Sequence, residues 1–167
     1  MTANRKKALR CALMLVVPGL LQAGEFPVAD IVIVDKSARE LYLMKGGEPF
    51  RTFKIALGGN PEGDKTQEGD FKTPEGEYLL DTRNPDSDYF LSIHVSYPSV
   101  ADRRAAKKRG LNPGGAIMIH GQPNEPTRSE AYYRSQDWTN GCIAVSNSDM
   151  IDIWLMTDAD TPIVIRP

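Results

Sequence analysis

Short apolar runs divided by glycine- and proline-rich turns dominate the chain beyond residue 30. Residues 30–35 hold the β-branched run Ile31, Val32, Ile33 and Val34, which predicts a buried strand. A polar turn at 36–38 leads into a second strand at 39–44. The turn at 45–49 leads into a third at 50–57, where Phe53, Ile55 and Leu57 alternate onto one face. Residues 58–76 then shift to Gly, Pro, Glu, Asp, Lys and Thr; so long a glycine-rich connection inside a compact domain points to a functional loop. Two more strands, 77–82 and 89–97, are expected around a turn at 84–87. On the second, Leu91, Ile93, Val95 and Tyr97 share one face and Ser92, His94 and Ser96 the other. The apolar stretches 117–119, 143–145 and 163–165 complete the strand pattern.

Helical signals are few. Ser99 and Asp102 have the spacing of a capping box for a helix over 101–109 that stops at Gly110. Thr127 with Glu130 predicts a helix over 129–136. Ser146 with Asp149 opens a third that places Met150, Ile151, Trp154 and Leu155 on one face. Many short strands with short helices between them predict a mainly β fold, a sandwich or partly open barrel.

The N-terminus changes what counts as the domain. A basic stretch at 4–10, an apolar core at 11–21 and the small residue Ala23 read as a signal peptide over 1–23, leaving one domain at 24–167. The apolar core is short for a membrane span, which needs about 20 residues, and Pro18-Gly19 near its end speaks against the alternative, retention as an uncleaved anchor. No integral membrane span is expected after cleavage, and the expected location is the periplasm or cell envelope. Cleavage removes four bases and no acid, leaving 16 basic against 22 acidic residues. An acidic mature chain excludes a sequence-independent nucleic-acid binder.

Cleavage also leaves Cys142 without a cysteine partner, because the other cysteine of the chain, Cys11, lies in the signal segment. A lone cysteine in a secreted chain is a reactive thiol, an intermolecular bridge or a buried structural residue. There are two histidines, His94 and His120. One thiol and two histidines lack the ligand spacing of zinc, so no metal and no cofactor is expected. A thiol needs a base to act as a nucleophile, and histidine is its usual partner. The 22 residues from His120 to Cys142 require the pair to meet through tertiary packing. Gly141 permits a tight turn beside the cysteine. It is expected to leave the backbone N–H groups of Asn140, Gly141 and Cys142 free to face a developing oxyanion. Thr139 and Asn140 either contact substrate or shape the turn. His94 either lines the cleft floor as a substrate-binding residue or sits on a solvated face.

His120-Gly121 followed by Thr139-Asn140-Gly141-Cys142-Ile143 resembles the L,D-transpeptidase catalytic domain, also called the YkuD domain. So do Val32 to Lys36 with Leu41-Tyr42-Leu43, Gly58, and the run Lys72-Thr73-Pro74-Glu75-Gly76-Glu77-Tyr78. The form Gly141-Cys142-Ile143-Ala144-Val145, with Tyr97-Pro98 and Ala101-Asp102-Arg103 before Gly114-Gly115, is most similar to the YafK-type branch. The resemblance implies a β-sandwich of mixed sheets with the cysteine in a cleft and peptidoglycan stem peptides as substrate. It makes Cys142 the nucleophile, His120 the general base and Gly121 the residue whose carbonyl orients the imidazole. A thioester acyl-enzyme would then be resolved by an amine, giving cross-links or protein attachment, or by water. Cross-linking members commonly carry arginine two residues after the cysteine, where this chain has Ala144. The acceptor is therefore left open, and with it a hydrolytic amidase or carboxypeptidase whose partner is a peptidoglycan-attached lipoprotein. A non-catalytic wall-binding module is the third reading.

Overall fold

The computed structural model describes residues 26–167, so the expected signal peptide lies outside the described residues. Eight strands and three helices follow in the order β1 (Ile31–Asp35), β2 (Glu40–Lys45), β3 (Glu48–Lys54), β4 (Gly76–Ser87), β5 (Phe90–Val95), α1 (Val100–Arg109), β6 (Met118–His120), α2 (Glu130–Ser135), β7 (Ile143–Ala144), α3 (Asn147–Met156) and β8 (Thr161–Arg166). No described helix is long and apolar enough to cross a membrane.

The strands form one mixed sheet in the order β3-β2-β1-β8-β4-β5-β6-β7. Strands β1 to β3 are the expected antiparallel meander. β8, last in sequence, lies at the centre, parallel to β1 and antiparallel to β4. The ends of this order meet. The chain just past β3 forms bridges Ala56↔Ala144 and Gly58↔Thr139, joining one edge of the sheet to the segment around β7 at the other. The sheet therefore folds over itself, and Val32, Val34, Leu41, Leu43, Leu80, Ile93, Ile119, Ile143, Ile163 and Ile165 fill the interior. This is the mainly β, sandwich-like architecture that the strand pattern predicts, closed by two bridges instead of by a long ladder.

Several boundaries differ from expectation for physical reasons. β4 runs through Pro85 to Ser87, where a turn was expected, because the ladder to β5 shifts register between Asn84 and Ser87. An irregularity of that kind leaves room for a residue without an N–H. The reversal occurs instead at Asp88 and Tyr89. β3 starts at Glu48 and stops at Lys54. Helix α2 is capped by Ser129, not Thr127, whose amide bonds the Tyr133 hydroxyl at 3.1 Å. Helices α1 and α3 carry the expected caps, Ser99 with Asp102 as a full capping box and Ser146 accepting from Asp149 N–H. Helix α3, packed on β5, buries Met150, Ile153 and Met156, while Ile151 and Leu155 face outward. The helix is rotated relative to the face its apolar residues suggest.

The 58–76 connection is not a strand, yet it is firmly tied down. The Lys36 ammonium, buried at the end of β1, bonds Gly63 O at 2.8 Å, Thr73 O at 3.1 Å and the Glu75 carboxylate at 2.7 Å. These contacts hold the loop against the end of β1.

Candidate active site

The apolar residues of 117–119 anchor the short strand that carries His120. Ile117 and Ile119 are buried in the core, so the alternation of the strand turns Met118 and His120 to the other face. β5 flanks this strand on one side, with Ser92 opposite His120 and His94 opposite Met118. β7 runs parallel on the other side, with Ile119 opposite Ile143 and His120 opposite Ala144. One step back from the Ile119–Ile143 pair, Cys142 lies abreast of Met118. The two candidate residues thus arrive on neighbouring strands, and both line a cleft of about 740 Å³.

The turn before Cys142 is built by a side chain. Thr139 Oγ1 accepts the Gly141 N–H at 3.1 Å and donates to Cys142 O at 2.8 Å. Gly141 takes φ +126°, and a Cβ there would lie 2.5 Å from Lys72 O, so only glycine fits against the 58–76 loop. The expected row of three free amides is corrected here. The Gly141 N–H is spent on Thr139, and the Asn140 and Cys142 N–H groups remain without an intramolecular acceptor among the described residues. Asn140 is exposed on the cleft wall, whereas Thr139 is 5% exposed and serves the turn.

His120 is 4% exposed, and its Nδ1 lies 2.7 Å from Gly121 O. A carbonyl only accepts, so Nδ1 carries the proton and Nε2 is left as the base. A Cβ on Gly121 would press on Asn147 Oδ1 at 2.6 Å and Tyr89 O at 3.1 Å, so the backbone can approach its neighbours this closely only without a side chain. The Tyr89 and Trp138 rings pack on the imidazole with centroids at 4.6 and 5.6 Å. Burial lowers the imidazole pKa to about 4, against the opposing pull of the Gly121 carbonyl. Burial likewise raises the Cys142 thiol pKa, partly offset by the Met118 backbone N–H and the positive charge of Lys65. At neutral pH the structure therefore holds a neutral thiol and a neutral imidazole. The thiol points at Ala116 O, 3.6 Å away.

His94 is not brought to the cleft. Its Nδ1 bonds Asp81 Oδ1 at 2.7 Å, and it is absent from the lining, although Ser92 on the same strand face is present. Sequence reasoning missed Lys65, Phe71, Tyr89 and Trp138, which complete the walls. Trp138 could have been suspected from its place one residue before the Thr139 turn; the others carry no local signal. Among the described residues no cluster of three or more His, Cys, Asp or Glu is placed to hold a metal.

Residues 29–165 match the L,D-transpeptidase catalytic domain (YkuD) family. The chain belongs to that family. YafK from Escherichia coli (strain K12) is 32% identical over 100 residues, covering 57% of this chain and 38% of the relative. Among solved structures, the helical cell shape determining protein Pgp2 from Campylobacter jejuni is 30% identical, with a TM-score of 0.63 over 81% of this chain and 46% of that one. Bd1075 from Bdellovibrio bacteriovorus is 25% identical, with a TM-score of 0.56 over 87% and 53%. The chain therefore spans about half or less of the length of these relatives. In this YkuD domain the residue two positions after the cysteine, Ala144, is 1% exposed and bonded on both sides of its backbone to Ala56. It lies outside the cleft lining.

Proposed function

We propose that the protein is a cysteine-dependent L,D-transpeptidase of the cell envelope that acts on peptidoglycan stem peptides through a thioester. The observation that carries this reading is the convergence of Cys142 and His120, from parallel neighbouring strands, on one cleft with the Nε2 face of the imidazole unprotonated. Rotation of the thiol away from Ala116 O lets it give its proton to His120 Nε2 as sulfur attacks the scissile carbonyl. The oxyanion is met by the Asn140 and Cys142 N–H groups. His120 returns the proton to the departing amine, leaving the acyl group on sulfur. An incoming amine or water then repeats the sequence in reverse and frees the thiol. Similarity to a cell-shape-determining protein supports the cell wall as the place of action.

Hydrolysis is the second reading, with release of a stem peptide or of a peptidoglycan-linked lipoprotein. Ala144 favours it, because cross-linking members of the family commonly carry at that position an arginine, suited to clamping a carboxylate. Incubation with purified muropeptides tests both. Cross-linked dimers are the expected product of transfer, and shortened peptide or freed protein that of hydrolysis. An unchanged muropeptide profile, or a Cys142→Ala chain as active as wild type, would overturn the proposal and leave the wall-binding module.

A further inference from the structure

On the reading that the cleft receives stem peptides, we propose that Lys65 determines specificity by receiving a carboxylate of the bound peptide on the part of the cleft lined by the 58–76 loop. Four charged residues line the cleft among the described residues, and Lys65 is the sole cation beside Glu68, Asp86 and Asp88. It is 5% exposed. Its ammonium has three donors. One goes to Asp70 Oδ1 at 2.7 Å and one to Gln67 O at 3.1 Å, and no described residue takes the third.

The group is rigidly presented. Asp70 accepts the amides of Thr66 at 2.8 Å and of Gln67 and Lys72 at 3.1 Å each, so the carboxylate that holds Lys65 is itself held by the loop backbone. Lys36 pins that loop to β1. The neighbouring acid, Glu68, is engaged by Asn112 Nδ2 at 2.7 Å. A buried ion pair is no more stable than two apolar side chains of the same volume. What the apolar pair cannot do is offer a donor to the cleft. Lys65 and Cys142 line the same cleft, so a peptide bound across the thiol also meets the ammonium. A stem peptide brings two kinds of carboxylate close to that bond: the chain terminus just beyond it and the side-chain carboxylate of the residue whose carbonyl is attacked. Both offer the same chemistry to an ammonium.

Binding separates them without needing the reaction. A Cys142→Ala chain is titrated calorimetrically with the tetrapeptide L-Ala-γ-D-Glu-meso-diaminopimelyl-D-Ala, with its C-terminal carboxamide, and with its diaminopimelyl carboxamide. One carboxamide is expected to bind about 10- to 100-fold more weakly, the worth of one charge-assisted hydrogen bond. That penalty should vanish when Lys65→Met and Asp70→Asn are combined, and whichever carboxamide shows it names the carboxylate. Equal affinity for all three peptides, or a penalty that survives the double substitution, overturns the role of Lys65. Should the double variant fail to fold, the Lys65 ¹⁵Nζ resonance of the Cys142→Ala chain decides. It should shift with the acid and not with the discriminating carboxamide, and a resonance indifferent to both overturns the inference. Wild-type turnover of the same tetrapeptide reports separately on the proposed reaction. Turnover without carboxylate discrimination removes Lys65 alone, while neither binding nor turnover removes both.

Discussion

A histidine buried as deeply as His120 spends the neutral range as the free base, with its proton fixed on Nδ1 by Gly121 O. On the proposed mechanism, activity needs that base form, and the imidazole titrates at about 4. The acid limb of kcat/KM should therefore lie near pH 4, well below the 6.5 of a free imidazole; a limb at 6–7 would show the proton acceptor to be another group. His120→Ala should reduce turnover about 10²- to 10⁴-fold, the worth of a positioned base, and slow labelling of Cys142 by iodoacetamide at pH 7. At Gly141, alanine meets both a positive φ and Lys72 O. Gly141→Ala is expected to lower stability by about 1–3 kcal/mol, read from urea unfolding. Cys142 and His120 stood out in the chain because each is rare and sits beside a glycine, Gly121 was named through the family resemblance, and the structure places the thiol and imidazole on one cleft. The fate of the Gly141 amide was not, since it depends on which way the Thr139 hydroxyl turns. His94 was ambiguous for a similar reason: nothing local announces its bond to Asp81.

At the level of elements, the 58–76 loop depends on one cation. Lys36 has three acceptors on that loop, and its side chain is 3% exposed beside a Glu75 that is 19% exposed. Lys36→Met leaves Glu75 and two carbonyls without their partner. A loss of about 3–5 kcal/mol is expected, with limited proteolysis cutting first between 58 and 76. Cleavage elsewhere would show the loop to be held by its Asp70 contacts instead. The loop was recognisable as functional by composition, but its inward-turned Lys65 looked like any other charge in a polar stretch. Helix α3 shows the same limit. Met150 fits both helical faces, and only the β5 surface beneath decides that Ile153 and Met156 go inside while Ile151 and Leu155 stay out. The extension of β4 through Pro85 likewise depends on a register shift that belongs to the pair of strands, not to either one.

Across the whole molecule, the buried neutral imidazole ties stability to acidity. The unfolded chain takes up a proton at about 6.5, while the folded chain refuses it until about 4. The contribution is complete above pH 6.5 and is lost as pH falls through the folded value, by about 3 kcal/mol in all. Urea unfolding at pH 7.5 and 4.5 should show most of that loss in wild type and little of it in His120→Gln, with the carboxylates acting alike in both. An equal loss in the two chains would place the acid sensitivity elsewhere. The mainly β class was legible from the spacing of apolar runs. The strand order was not: β8 enters the centre of the sheet between β1 and β4, a choice set by long-range packing.

The seam between Ala56 and Ala144 has a bearing on when the candidate site forms. β7 is two residues long and has a hydrogen-bonded neighbour on each side, β6 and the segment after β3. The thiol therefore finds its place only once the earliest and latest thirds of the domain have met, a contact of long sequence separation. A chain still being synthesised carries an isolated thiol and an isolated imidazole, each with ordinary reactivity. Completion of the fold is what brings the two side chains to one cleft.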